Sequence, residues 1–261
     1  VSEKGYGSAL MGGIAEARGR YIIMGDADGS YDFGDIPKFI EKLNQGNDLV
    51  MGCRLPTGGG IISPGAMPFL HRWLGNPLLS LLARLMFRVP IHDVYCGLRG
   101  FTREHFMGLE QYCTGMEFAT EMVIKSSLFG AKIAEIPITL YPDRRKSQGS
   151  HLNTFSDGWK TLRFFMLYSP KWLFLIPGLL MIIIGVIGYT IVISRIIIFD
   201  ITFDAHTLLI SSRLFIMGYQ TILFAVFAQV YAMNEGLLPE DPMIVKFFKF
   251  ATLKRGLILS I

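Results

Sequence analysis

Apolar and polar positions alternate in short blocks over the first two thirds of the chain and merge into unbroken apolar runs over the last third. Ser8–Arg18 carries small and apolar residues at helical spacing and stops at Gly19, a residue suited to ending a helix. The apolar run Tyr21–Met24 predicts a buried strand. Asp35–Leu43 predicts a helix with Pro37 in its first turn, where an N–H would have no helical partner anyway. Asp48–Cys53 predicts the next strand, and Pro56–Pro68, rich in glycine and proline, a long loop. Pro77–Phe87 reads as a helix apolar enough to lie on a membrane or to pack on the domain. Leu98–Phe101 predicts a short strand, Glu117–Phe129 a helix, and Lys132–Leu140 a strand broken by Pro137. Alternation of this kind predicts an α/β sheet covered by helices.

The long apolar runs change the class of protein. The chain has 261 residues and is 51% hydrophobic, with the excess concentrated after Trp172. Trp172–Ser194 carries no charged side chain, and at about 1.5 Å per residue it is long enough to cross a bilayer. Leu214–Met233 is a second such run, with Gln220 and Gln229 as its strongly polar side chains. A core helix of a soluble protein would keep a polar face. Three regions follow: a globular part at 1–168, a pair of transmembrane helices within 169–233 (172–194 and 214–233), and a juxtamembrane segment at 234–261. Lys160, Arg163 and Lys171 precede the first run, and Lys246, Lys249, Lys254 and Arg255 follow the second, so the positive-inside rule places both flanks in the cytoplasm. Cys53, Cys96 and Cys113 lack metal-type spacing and read as packing residues of a reduced compartment. The chain opens without Met in what reads as a loop entering a helix, and Gly256–Ile261 reads as the start of another apolar run. The sequence is therefore read as a fragment lacking the N-terminal part of its domain.

Candidate chemistry gathers at the predicted strand ends. Tyr21–Met24 runs into Gly25-Asp26-Ala27-Asp28, two carboxylates that a turn brings onto one hard cation. In open α/β sheets the carboxyl ends of strands are where ligands bind. Mg²⁺ or Mn²⁺ held against a diphosphate is the chemistry this pattern suggests. A calcium loop of the EF-hand type would need Gly at the sixth position and Glu at the twelfth, where this chain has Tyr31 and Pro37. The loop Lys4-Gly5-Tyr6-Gly7-Ser8 before a helix offers backbone N–H groups and an ammonium to a diphosphate, or is an ordinary N-terminal loop. Arg54 lies past the second strand at the same sheet edge as Asp26, placed for phosphate oxygens or a surface ion pair. Glu117 and Glu121 stand one helical turn apart. The segment from Asp143 to His151, with Arg144, Arg145, Lys146 and Ser147, is a basic, hydroxyl-rich loop ahead of the first apolar run. It suits anionic headgroups or a lipid-borne phosphate at the bilayer surface.

The order of these pieces resembles the family 2 glycosyltransferases of the GT-A fold, in particular the polyprenyl- and dolichyl-phosphate hexose synthases. The likeness runs collinearly from Val1 to about Met233. It takes in Lys4-Gly5-x-Gly7, Asp26-Ala27-Asp28, Gly52-Cys53-Arg54, Leu70-His71-Arg72-x-x-Gly75-Asn76, Asp93-x-x-Cys96-Gly97-x-Arg99, Glu117-x-x-x-Glu121 and Glu135-Ile136-Pro137-Ile138. It implies a Rossmann-like nucleotide-sugar domain followed by transmembrane helices. It also implies an inverting, metal-dependent transfer of a hexose from a UDP- or GDP-linked donor to polyprenyl phosphate at the cytoplasmic membrane face. Asp26 and Asp28 would bind the metal and the diphosphate, Lys4 and Gly5 would add donor contacts, and Arg54 would face phosphates or acceptor. Asp93, Arg99 and Glu121, with Asp28, would form the catalytic set on the sugar side. Arg144, Arg145 and Ser147 would hold the lipid phosphate. Ser30 stands where many relatives carry Gln, so substrate phosphates and water would complete the metal shell. The expected partners are nucleotide sugar, polyprenyl or dolichyl phosphate and membrane lipid, with the helix pair as the surface for any self-association and no nucleic acid. A processive polysaccharide synthase would carry Gln-x-x-Arg-Trp after the acidic helix, whereas Arg72-Trp73 precedes Glu121 here and Phe69 stands in the Gln position. A catalytically silent membrane scaffold of the same fold is a second alternative, against which intact Asp26, Asp28 and Arg99 argue; a flippase or transporter, the third, would carry ionisable residues within the spans, where only Arg213, at an edge, comes close.

Overall fold

The computed structural model describes residues 5–69, 71–143, 154–195, 197–198, 201–202 and 204–250. The chain forms two compact units, Val1–Phe165 and Met166–Ile261. The first runs α1 (Tyr6–Glu16), β1 (Tyr21–Met24), α2 (Ile36–Asn44), β2 (Leu49–Cys53), β3 (Ile61–Ile62), α3 (Asn76–Phe87), β4 (Arg99–Thr102), α4 (Arg103–Gly108), α5 (Glu117–Leu128), β5 (Ile133–Pro137), β6 (Thr139–Leu140) and α6 (Thr154–Leu167). A single 3₁₀ turn, Phe33–Asp35, leads into α2, and a π-type turn, His71–Gly75, leads into α3.

The main sheet has the order β1-β4-β2-β5. β4 is antiparallel to both β1 and β2, while β2 and β5 are parallel. β1, β2 and β5 therefore share one direction, and their carboxyl ends meet the entry of β4 at a single sheet edge. β2 sits between two partners and is buried along its whole length, which its uninterrupted Leu-Val-Met-Gly-Cys requires. Phe39, Phe101, Phe118, Leu49 and Met51 form the centre of the core.

The expected elements recur with small shifts, and three differences have physical causes. The loop expected over Pro56–Pro68 contains a 3₁₀ turn and the short strand β3, which pairs with β6. Pro137 ends β5, and the following Ile138 N–H donates to Cys53 O at 2.9 Å, so the one broken strand becomes two strands in separate sheets. α4 was not anticipated: Thr102, the last residue of β4, caps it by accepting from His105 N–H, leaving no loop between strand and helix to signal a start.

The second unit contains α7 (Ile176–Ile193), preceded by a π-type turn at Lys171–Leu175, a two-residue hairpin of β7 (Ile197–Ile198) and β8 (Ile201–Thr202), α8 (Ala205–Asn234) and α9 (Pro242–Phe250). Two helical stretches, Lys171–Ile193 and Ala205–Asn234, are long and apolar enough to cross a membrane. They pair antiparallel through small residues. Gly178 lies against Gly218, and Gly185 against the Ser211 backbone, so closely that a methyl group at Gly178, Gly185 or Gly218 would come within 3.0 Å of a neighbouring carbonyl. The second helix begins earlier than the apolar run that announced it. Asp204 accepts from His206 N–H and caps it there, which puts Arg213 inside the helix rather than at its entrance.

Candidate functional site at the carboxyl edge of the sheet

The acidic turn after β1 is built by local bonds. Asp28 Oδ1 accepts from Ser30 N–H at 2.9 Å and from the Ser30 hydroxyl at 2.5 Å, which closes the turn and fixes the carboxylate. Ser30 thus serves Asp28 directly. Asp26 lies against the segment that enters β4. A side chain at Gly97 would collide with Asp26 Oδ2 and would lie 3.0 Å from the Tyr31 hydroxyl, so only glycine lets the two motifs close. Gly97 N–H donates to Tyr31 Oη at 3.0 Å, and Tyr6 Oη donates to Asp26 Oδ1 at 3.4 Å. Burial, reinforced by the neighbouring Asp28 charge, holds the Asp26 pKa above the usual carboxylate value. Burial and the Asp26 carboxylate push the Tyr6 phenol up to about 12.

Arg54, at the end of β2, and Asp93 are locked together. Nε meets Oδ2 at 2.7 Å, Nη2 meets Oδ1 at 2.9 Å, and the Arg54 backbone N–H also donates to Oδ2 at 3.0 Å. Both residues are buried, Asp93 completely. Burial works against the Arg54 charge, and the Asp93 carboxylate more than offsets it. The loop carrying Asp93 is anchored in turn by Glu135 of β5, whose carboxylate accepts from the backbone N–H groups of His92 and Asp93 and contacts His92 Nδ1 at 2.8 Å. Arg54 therefore presents an occupied edge to Asp93 rather than an open fork to substrate.

Arg99, first residue of β4, is fully buried and donates to Ala119 O at 2.6 Å and Cys96 O at 2.7 Å. Burial pulls its pKa down, with Tyr6 and Asp26 among the groups opposing that shift. Glu121 is also fully buried. It accepts from Cys113 N–H at 2.9 Å and lies 3.1 Å from Lys125, and these contacts outweigh burial to depress its pKa. The segment Glu121 fixes is the one α1 rests on. Ser8 N–H donates to Thr114 O, and side chains at Gly5 or Gly7 would each stand 2.5 Å from a backbone oxygen of Thr114 or Cys113.

The fold thus brings Asp26, Asp28, Arg54, Asp93 and Arg99 to one sheet edge and sets Glu121 and Gly5 behind it. Of these, Asp93, Arg99 and Glu121 are buried and bonded to protein partners. Lys4, Arg144, Arg145 and Ser147 lie outside the described residues. Tyr6, Tyr31 and Glu135 carry no role of their own in the sequence reading and Lys125 is absent from it, although a carboxylate inside the apolar strand Ile-Ala-Glu-Ile-Pro and a lysine four residues after Glu121 were available signals. Among the described residues no group of three or more His, Cys, Asp or Glu converges as a complete metal cage. The paired carboxylates do fit a hard divalent cation of the kind that takes one or two protein carboxylates and fills its shell from substrate phosphates and water. The Asp28 charge already works against ionisation of Asp26. A cavity of about 620 Å³ opens at the opposite edge, among Arg20, Asp48 and Arg103, and none of the expected site residues lines it.

An α/β domain that collects acids, a buried ion pair and a glycine hinge at the carboxyl ends of its strands is a ligand-binding class of fold. Comparison with known proteins narrows it. The sequence model described as Glycosyl transferase family 2 matches residues 2–109. The low-salt glycan biosynthesis hexosyltransferase Agl6 of Haloferax volcanii is 35% identical over 254 residues, covering 97% of this chain and 60% of that protein. An uncharacterized glycosyltransferase of Mycobacterium tuberculosis, Rv0539, is 30% identical over 164 residues, 60% of this chain and 72% of that protein. A dolichyl-phosphate hexose transferase of Haloferax volcanii is 29% identical over 155 residues, 59% of this chain and 64% of that protein. Among solved structures, glucosyl-3-phosphoglycerate synthase from Mycobacterium tuberculosis in complex with Mg²⁺ and UDP aligns at TM-score 0.47 and 18% identity, covering 62% of this chain and 55% of that one. The chain belongs to glycosyl transferase family 2, and it combines a mixed α/β sheet with two helices long and apolar enough to cross a membrane. It spans 60% of the length of Agl6.

Proposed function

We propose that this glycosyltransferase moves a hexose from a nucleoside diphosphate sugar to polyprenyl phosphate at the cytoplasmic face of a membrane that it crosses with α7 and α8. The acidic turn carries the reading. Two carboxylates sit at the carboxyl edge of the sheet, one clamped by Ser30 and the other closed against Gly97. The hexosyltransferase among its relatives supports hexose as the group moved, and the dolichyl-phosphate hexose transferase supports a polyprenyl phosphate acceptor.

In this reading Asp26 and Asp28 hold Mg²⁺ or Mn²⁺. Such an ion, when bound, neutralises charge on the departing diphosphate. The acceptor phosphate is already an anion near neutral pH, so no side chain need remove a proton from it, and positioning and electrostatics do the rest. An acceptor oxygen bonds to the anomeric carbon as the bond to the diphosphate oxygen breaks, inverting configuration. Tyr6 orients Asp26 by donating to its Oδ1. Asp93, Arg99 and Glu121 act as positioning residues: Asp93 aims Arg54, Arg99 ties β4 to α5, and Glu121 sets the platform under α1. The basic loop with Arg144, Arg145 and Ser147 meets the lipid phosphate, and Lys4 with Gly5 meets the donor.

The test is transfer of radiolabelled hexose from a panel of nucleotide sugars to polyprenyl phosphate by full-length protein in membranes. Labelled lipid is the expected product. Donor binding without transfer to any polyprenyl phosphate would favour the silent scaffold instead.

A further inference from the structure

One face of α3 is inverted. Leu74, Leu78, Leu81 and Leu85 follow one another at four, three and four residues and so form a single stripe, and each is roughly half exposed, from 47% to 58%. Phe69 and Trp73 extend the stripe and are 77% and 62% exposed. The buried face of the same helix is slight, consisting of Ser80, Ala83 and Phe87. A surface helix normally turns its polar side outward, and a continuous apolar strip on the outside marks a contact surface.

We propose that this stripe docks in the interfacial layer of an anionic lipid bilayer, a placement that rests on the membrane-bound reading above. Charge selects the occupant. The segment 69–88 contains Arg72, Arg84 and Arg88 and no acidic residue, the composition of a helix that lies on anionic headgroups. A second copy packed on the same stripe would bring two sets of arginines together. Arg72 lies 5.4 Å from the Trp73 ring centroid and Phe69 lies 6.5 Å from it, an aromatic and guanidinium cluster suited to the headgroup level. The chain also supplies the tether. Its first membrane-length helix starts at Lys171, a few residues after the first unit ends at Phe165, so the domain is held at high effective concentration near lipid.

The other face of α3 reaches the site. Ser80 Oγ accepts from Val94 N–H at 3.3 Å, one residue from Asp93, and Phe87 O accepts from Ser127 Oγ at 3.1 Å. A docked α3 therefore supports the Asp93 segment from the lipid side, where a lipid-borne acceptor would arrive.

Bromolipid quenching of single-tryptophan variants of the full-length protein tests this. In proteoliposomes of phosphatidylcholine and phosphatidylglycerol brominated near the headgroup, a Trp159→Phe, Trp172→Phe variant reports Trp73, and a Trp73→Phe, Trp159→Phe variant reports Trp172. Both emissions are expected to fall by about twofold or more, because an interfacial helix sits within reach of shallow bromines. Adding Leu78→Glu and Leu81→Glu to the first variant should abolish the Trp73 quenching while leaving nucleotide-sugar binding unchanged. Quenched Trp172 with unquenched Trp73 overturns the docking and spares the membrane spans. Both unquenched overturns docking and membrane insertion together. Quenched Trp73 in a protein that transfers no sugar upholds the docking and rejects the proposed function.

Discussion

The contacts that close the acidic turn leave little room for substitution. Gly97 is the most sensitive, because any side chain there meets Asp26 and Tyr31. Gly97→Ala is expected to leave the fold intact and lower transfer by about a hundredfold, the cost typical of a displacement of about 1 Å in a catalytic group; Mn²⁺ affinity measured in parallel should weaken. Asp93→Ala removes the partner of a buried guanidinium and should destabilise the first unit by about 3–5 kcal/mol, read from thermal unfolding in detergent. His105 gives a pH dependence of known sign. Its Nε2 lies 2.8 Å from Ser126 Oγ, whose own proton goes to Met122 O, so the neutral ring donates there. Burial holds its pKa below the ordinary histidine value. The unfolded chain then binds the proton more tightly. Its contribution to stability is complete above about pH 6.5 and is lost as pH falls toward the folded-state pKa. His105→Gln should flatten that part of the unfolding profile between pH 7 and 5.

At the scale of elements, strands and amphipathic helices were legible because period and punctuation agreed: β1 falls on Tyr21–Met24 as expected, and α5 and α3 differ from expectation by a residue at one end. The acids of the turn were legible too, since Asp26 and Asp28 follow an apolar strand. What the sequence could not display was which polar groups face each other across the fold. Asp93 and Arg54 are separated by 39 residues and Glu135 and His92 by 43, and no local period reports such pairs. Asp93, Arg99 and Glu121 are therefore anchored by partners that no local pattern announces. The helix pair of the second unit makes its own prediction. Gly218→Leu forces side-chain atoms into the Gly178 carbonyl and Ile182, so α7 and α8 should separate. The Tyr189–Ser212 hydrogen bond between them should be lost, read as increased quencher access to Tyr189, while membrane insertion persists.

Across the whole molecule, a family 2 glycosyltransferase domain leads directly into two helices long enough to cross a membrane. In the proposed reading, charge on both flanks of the helix pair keeps the domain in the cytoplasm, and α3 gives lipid a second contact. The central claim is that the Asp26–Asp28 turn supports metal-dependent hexose transfer to a lipid phosphate. The most direct test is labelled-hexose transfer to polyprenyl phosphate by the full-length protein in proteoliposomes, with and without EDTA, for the wild type and Asp28→Asn. The account predicts a labelled lipid product that EDTA abolishes and added Mg²⁺ or Mn²⁺ restores, and a loss of about a hundredfold or more in the variant, as for removal of a metal-site group. Transfer that survives EDTA, or an Asp28→Asn enzyme that turns over at the wild-type rate, would contradict it.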